Sequence, residues 1–124
     1  MTGLYILYTE NPAVRSMQGR KVVAEISVIP IGTGSASVSE YVAACIDVLS
    51  RRKHISYRLN PMGTIIEGPI EEILEVMREM HEVPFKKGAV RVVTTLKIDD
   101  RIDKPLTMDG KLDSVRKIKP EVKT

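Results

Sequence analysis

The stretch from Tyr57 to Pro69, Tyr-Arg-Leu-Asn-Pro-Met-Gly-Thr-Ile-Ile-Glu-Gly-Pro, leaves this chain few folds to choose from. Ser56 to Asn60 and Thr64 to Glu67 read as two short strands. Between them, Pro61-Met62-Gly63 supplies a ring without a donor and a glycine that tolerates positive φ, the ingredients of a tight reversal. Gly68-Pro69 ends the hairpin and hands the chain into a helix, because proline suits the first helical position and Glu71 and Glu72 favour the positive helix end. Ile70, Ile73, Leu74, Met77 and His81 then trace one stripe up to a stop at Pro84, which predicts helix two over about 69–82.

The same plan precedes and follows the hairpin. Val22 to Ile31 alternates Ala24, Ile26 and Val28 against Glu25 and Ser27, a strand with one apolar face. Gly32-Thr33-Gly34-Ser35-Ala36 breaks it, and Ser37-Val38-Ser39-Glu40 has capping-box spacing, so helix one is expected to start there. Val38, Val42, Cys45, Ile46 and Leu49 form its inward stripe. After Lys86-Lys87-Gly88, Val90, Val92, Thr94, Leu96 and Ile98 alternate with Arg91, Val93, Thr95 and Lys97 in a final strand. Two strand-helix-strand units with right-handed crossovers interlock as an α+β, ferredoxin-like βαββαβ sandwich: a four-stranded antiparallel sheet with two helices on one face. Leu112, Val115 and Ile118, three residues apart, predict a short C-terminal helix that docks on the domain or on a neighbour. Residues 21–124 are read as one domain and residues 1–20 as an N-terminal extension.

Charge and composition narrow the class. Seven of the nineteen basic residues but four of the sixteen acidic ones fall in residues 101–124, so the first hundred residues balance at twelve of each. A balanced body argues against a nucleic-acid partner, and strands one and four carry no aromatics on which bases would stack. No apolar run approaches the roughly 20 residues of a membrane span, and Leu4 to Tyr8 is too short for a signal segment. The chain is read as cytoplasmic, with no membrane partner. Its one cysteine, Cys45, forms no internal disulfide and, on the inward stripe, reads as inert core.

His54 and His81 each read as lying near a helix C-terminus, and Asp99, Asp100 and Asp103 as solvated or paired with arginine; no spacing predicts a metal. No serine or cysteine comes with a positioned base, no cofactor fingerprint is present, and catalysis is not expected. What remains is a polar set at the strand ends: Thr33, Ser35 and Ser37, then Asn60 and Met62, then Thr64 and Glu67. These residues suit hydrogen bonding to a small heteroaromatic or amine, and equally suit plain turn chemistry and a solvated strand. Both readings stay open here.

Four ordered segments carry a resemblance: Val22 to Gly32, Ser37 to Val42, Met62 to Gly68, and Arg91 to Arg101. Over about residues 21–119 the chain resembles the thiamine-binding-like small proteins, long a family of unknown function. The resemblance implies a ferredoxin-like subunit assembled as dimers or tetramers, and a small-molecule ligand, thiamine or its hydroxymethylpyrimidine part, without catalysis. It puts that ligand at Thr33 to Ser37, Asn60 to Thr64, and Glu67. A thiazolium cation would call for Tyr41, Tyr57, Phe85, Glu25 or Glu67. The alternative is a structural or regulatory oligomer that senses another metabolite or an anion.

Overall fold

In the computed structural model, which describes residues 19–124, the chain runs β1 (Lys21–Pro30), α1 (Ser39–Ser50), β2 (Ser56–Asn60), β3 (Gly63–Pro69), α2 (Ile70–Lys86), β4 (Val92–Asp99) and α3 (Met108–Ile118). The strands form one antiparallel sheet in the order β2-β3-β1-β4. This is the expected ferredoxin-like α+β fold with an added C-terminal helix. Of the expected N-terminal extension, residues 1–18 lie outside the described residues. No helix among the described residues is long and apolar enough to cross a membrane.

The period-2 alternation of β1 puts Val22, Ala24 and Ile26 on the face covered by α1 and α2, where they meet Cys45, Val48 and Leu49 from one helix and Ile73, Val76 and Met80 from the other. Ile66 of β3 and Ile55 close this core. Full burial of each branched aliphatic side chain contributes about 1.5–3 kcal/mol, so this single layer accounts for most of the driving force. The two helices are also tied at their solvent edge, where Arg52 bonds Glu75 at 2.9 Å and Glu79 at 2.5 Å.

Four local expectations are corrected. The capping box on Ser37 does not form: the Ser37 N–H is held by Ser35 Oγ at 3.1 Å, and α1 begins one residue later than that box requires, with Val38 as a cap that offers no side-chain acceptor. The Val38 carbonyl instead receives the Tyr41 and Val42 N–H groups. Pro69 is the last residue of β3 rather than the first of the helix, with the extended ψ of 137°. β4 starts at Val92, leaving Val90 exposed.

The fourth correction is that α2 runs through Pro84 to Lys86 instead of stopping before it. A proline here removes the N–H that would bond the carbonyl four residues back, which belongs to Met80. That carbonyl is met instead by the Cys45 thiol, 3.6 Å away from α1. The Pro84 ring is buried, and its own carbonyl accepts the Lys87 and Ala89 N–H groups, so the last turn closes.

The close approach of β3 to the turn after α1 requires glycine at one position. A Cβ on Gly68 would stand 2.7 Å from Ile55 Cδ1 and 2.8 Å from the His54 carbonyl oxygen, and the latter is backbone that cannot swing away. Gly68→Ala is therefore expected to destabilise the protein by about 1–3 kcal/mol, the usual cost of overpacking, seen as a lower urea midpoint at unchanged slope.

Candidate functional site

β1 outlasts its partner. Its pairing with β3 ends at Ile26 opposite Thr64, whereas its pairing with β4 continues to Pro30 opposite Val92. The hairpin turns away at Pro61 and Met62, and the space left beside Ser27 to Ile29 is a cavity of about 230 Å³. Its walls are mainly apolar: Ile26 and Val28 from β1, Val38 and Val42 from α1, Leu59 from β2 and Met80 from α2. Cys45 and Thr64 also reach it.

Thr64 is the buried polar residue of this pocket, which Ser27 and Asn60 also line. It is 5% exposed, and its hydroxyl makes no hydrogen bond among the described residues. Every fully buried side-chain polar atom among those residues has a partner, so the Thr64 oxygen keeps contact with open space, and the open space beside it is the cavity. A hydroxyl that still reaches open space on a pocket wall can donate to or accept from a molecule placed there.

Past Leu59, Asn60 and Pro61 the cavity opens onto a wider groove along α1, about 810 Å³, lined by Ser39, Ala43, Ile46 and Asp47. The Asp47 side chain is the negative charge on that groove. Cys45 sits at the opposite, inner end. Burial pushes its thiol up to about 11, so it is a protonated donor to Met80 and not a thiolate nucleophile.

The seven residues expected from the sequence divide three ways. Asn60, Met62 and Thr64 all line the cavity. Thr33, Ser35 and Ser37 lie in the exposed loop from β1 to α1, between the lining residues Ile29 and Val38; the Thr33 hydroxyl donates to the Ser35 carbonyl at 3.0 Å, and Ser35 Oγ holds the Ser37 N–H. Glu67 is on the other face of the sheet. Thr64 and Ile66 point at the helices, so Glu67, one residue on, points away. It lies level with Val23 and Asp99 in neighbouring strands, and there it accepts the Met108 N–H at 2.8 Å.

That bond explains α3. The helix start is held by Glu67, by the Thr107 hydroxyl accepting from the Gly110 N–H, and by Asp109–Arg58 and Lys111–Asp99 ion pairs. Met108 and, on the open sheet face, Val23 are both buried. The stripe expected to dock the helix, Leu112, Val115 and Ile118, is not its anchor: Val115 is half exposed and Ile118 88% exposed.

Other candidates are accounted for by pairing. Asp100 meets Arg20 at 2.5 Å and Asp103 meets Arg101, each guanidinium lowering its partner carboxyl, to about 2 for Asp103. His54 contacts Glu72 at 3.2 Å. His81 is inside α2 rather than near its end, 2.7 Å from the Thr94 hydroxyl and edge-on to Phe85. Tyr41, Tyr57, Phe85, Glu25 and Glu67 do not line the cavity. Sequence reading missed Asp47, Val28 and Met80, which carry no motif; only their placement shows them.

Comparison with known proteins agrees with this architecture. Residues 24–116 match the family described as thiamine-binding protein. The UPF0045 protein YqgV of Bacillus subtilis is 44% identical over 98 residues, covering 77% of this chain and 94% of that protein. A Methanocaldococcus jannaschii crystal structure superposes with a TM-score of 0.71 at 44% identity, covering 77% of this chain and 96% of the other. A Thermotoga maritima structure, described as a candidate thiamine biosynthesis/salvage protein, gives 0.65 at 27% identity over 77% and 99% of the two chains.

Two outcomes test the geometry. Glu67→Ala removes a charge-assisted bond at a helix start and is expected to lower stability by about 1–2 kcal/mol in urea denaturation, without changing any ligand affinity measured at the cavity. Cys45 should resist thiol reagents at pH 8. Because burial disfavours the thiolate, its labelling rate in the native protein should climb about tenfold per pH unit and level off only near 11.

Proposed function

The chain belongs to the thiamine-binding protein family, and we propose that it is a non-enzymatic binding protein whose ligand is thiamine or its hydroxymethylpyrimidine moiety, held in the cavity between β1, the β2–β3 hairpin and α1. The observation that carries the proposal is Thr64, whose hydroxyl has no partner among the described residues and lines a mainly apolar pocket beside Asn60 and Ser27. Few convergent polar groups on apolar walls are the usual make-up of a small-molecule site. A cavity of about 230 Å³ falls below the roughly 300–1,000 Å³ of sites that enclose drug-sized ligands. It suits one ring rather than two. The pyrimidine ring would occupy it, with Thr64, Asn60 and Met62 against its edge and face. The positively charged thiazolium would extend into the outer groove towards Asp47. Thr33, Ser35 and Ser37 would flank the mouth, and Glu67 serves α3 instead.

Binding is favoured over catalysis by the lining, where among the described residues the titratable group is the Cys45 thiol, which stays protonated. The protein would buffer or deliver its ligand in the cytoplasm. It would do so as a homo-oligomer, dimer or tetramer, since the β2 edge exposes Leu59 and the open sheet face exposes Ile29 and Val93.

Calorimetric titration tests the reading. Thiamine and hydroxymethylpyrimidine should both bind saturably. Thr64→Val should weaken both by about three- to tenfold, the worth of one neutral hydrogen bond. Asp47→Asn should weaken thiamine alone. Absence of heat with either compound, from protein of unchanged fold and assembly, would sink the proposal.

A further inference from the structure

The strand alternation that builds the sheet also dictates where β1 has backbone groups to spare. The Ile31 N–H donates to the Arg91 carbonyl at 2.8 Å, and the two residues are opposite each other in the register that continues Pro30 with Val92. In an antiparallel pair, residues that exchange hydrogen bonds alternate with residues that do not. Ile29 and Ser27 therefore spend their N–H and C=O groups on Val93 and Thr95 of β4. Val28 and Pro30 turn theirs the other way, the side on which Ile26 bonds Thr64. On that side β3 has already ended, and among the described residues no turn hydrogen bond extends the pairing. The groups of Val28 face the cavity.

Pro30 makes this edge unusual. It sits at the next position facing the gap, and having no N–H it loses nothing there, which is where a sheet tolerates proline. It also spoils the edge for an added strand, which would need donors at both positions. One residue, Val28, is left offering an N–H and a C=O side by side. That pair matches an amide- or amidine-like edge, an acceptor nitrogen next to an amino group, better than it matches a peptide. Thr64 is the diagonal neighbour of Val28 across the former pairing, and such neighbours lie roughly 7–8 Å apart. A single ring bridges that distance.

We propose that the backbone of Val28 is the specificity-determining element of the site: its N–H donates to a ring nitrogen, its C=O accepts from the adjacent exocyclic amino group, and the Thr64 hydroxyl meets the far side of the ring. This rests on the cavity being the ligand site, and it selects aminopyrimidine-type edges over rings that lack either the nitrogen or the amino group.

Titration with 4-amino-5-hydroxymethyl-2-methylpyrimidine, and with its analogue carrying methyl in place of the amino group, reads the acceptor half: the analogue should bind about tenfold more weakly, because the Val28 carbonyl is then covered and unpaired. Val28→Pro reads the donor half. It removes an N–H that the β4 ladder does not use, and in a variant that stays folded the affinity for the amino compound should fall by about tenfold. Should that variant fail to fold, nitrogen-15 spectra of the wild-type protein decide, since saturation with ring-labelled ligand should move the Val28 amide proton downfield and give a nitrogen–nitrogen coupling across the new bond. Equal affinity for the two compounds, or an unmoved Val28 amide at saturation, overturns the inference while Thr64→Val still weakens binding. If Thr64→Val has no effect either, the cavity itself is the wrong site.

Discussion

The unequal partnership of β1 is the constraint on which the site depends. A ten-residue strand is paired with β4 up to Pro30 but with β3 only as far as Ile26. Had the hairpin continued, Met62 and Asn60 would have filled the sheet opposite Val28 and Pro30, and α1 would lie on a closed surface. Because the reversal at Pro61-Met62 comes early, a gap one strand wide opens in the sheet layer, roofed by α1 and closed at depth by Met80 of α2. The polar atoms that the gap uncovers are few: the Thr64 hydroxyl, the Asn60 side chain and the backbone of Val28.

The inner wall of that gap is stiffened by a second substitution of one interaction for another. Pro84 leaves the Met80 carbonyl without its helical donor, and the Cys45 thiol crosses from α1 to supply one. A sulfur-to-carbonyl contact is weak, but a buried carbonyl left bare is costly, so the pairing adds to the core packing that joins the two helices where both line the cavity. The lone cysteine is thereby explained without reactivity, in keeping with a thiol held protonated by burial.

The C-terminal helix shows why position in sequence and position in space part company. Glu67 is three residues from Thr64 and on the other side of the sheet, since successive strand residues point to opposite faces. It anchors α3 over Val23, where a carboxylate meets the first N–H of a helix and the macrodipole adds to the bond. The same odd-even rule that discards Glu67 from the cavity puts Thr64 into it.

The sequence by itself determined the element order, the antiparallel topology, the apolar faces and the presence of Asn60, Met62 and Thr64 at one end of the sheet. These follow from period-2 and period-3.6 patterning and from turn residues, which act over a few neighbours. It did not determine the helix end at Lys86, the cap of α1 at Val38, the placement of Val28 and Asp47 on the cavity and its groove, or the contact of Glu67 with α3. Pro84 reads locally as a stop and is overruled by a thiol on another helix. Ser37 reads locally as a cap and is taken by Ser35. Val28 has an ordinary side chain, and what sets it apart is a backbone whose partner strand stops short. Only the tertiary structure decides such things, because each depends on which groups from distant parts of the chain are left without partners once the ladders and helices have used theirs.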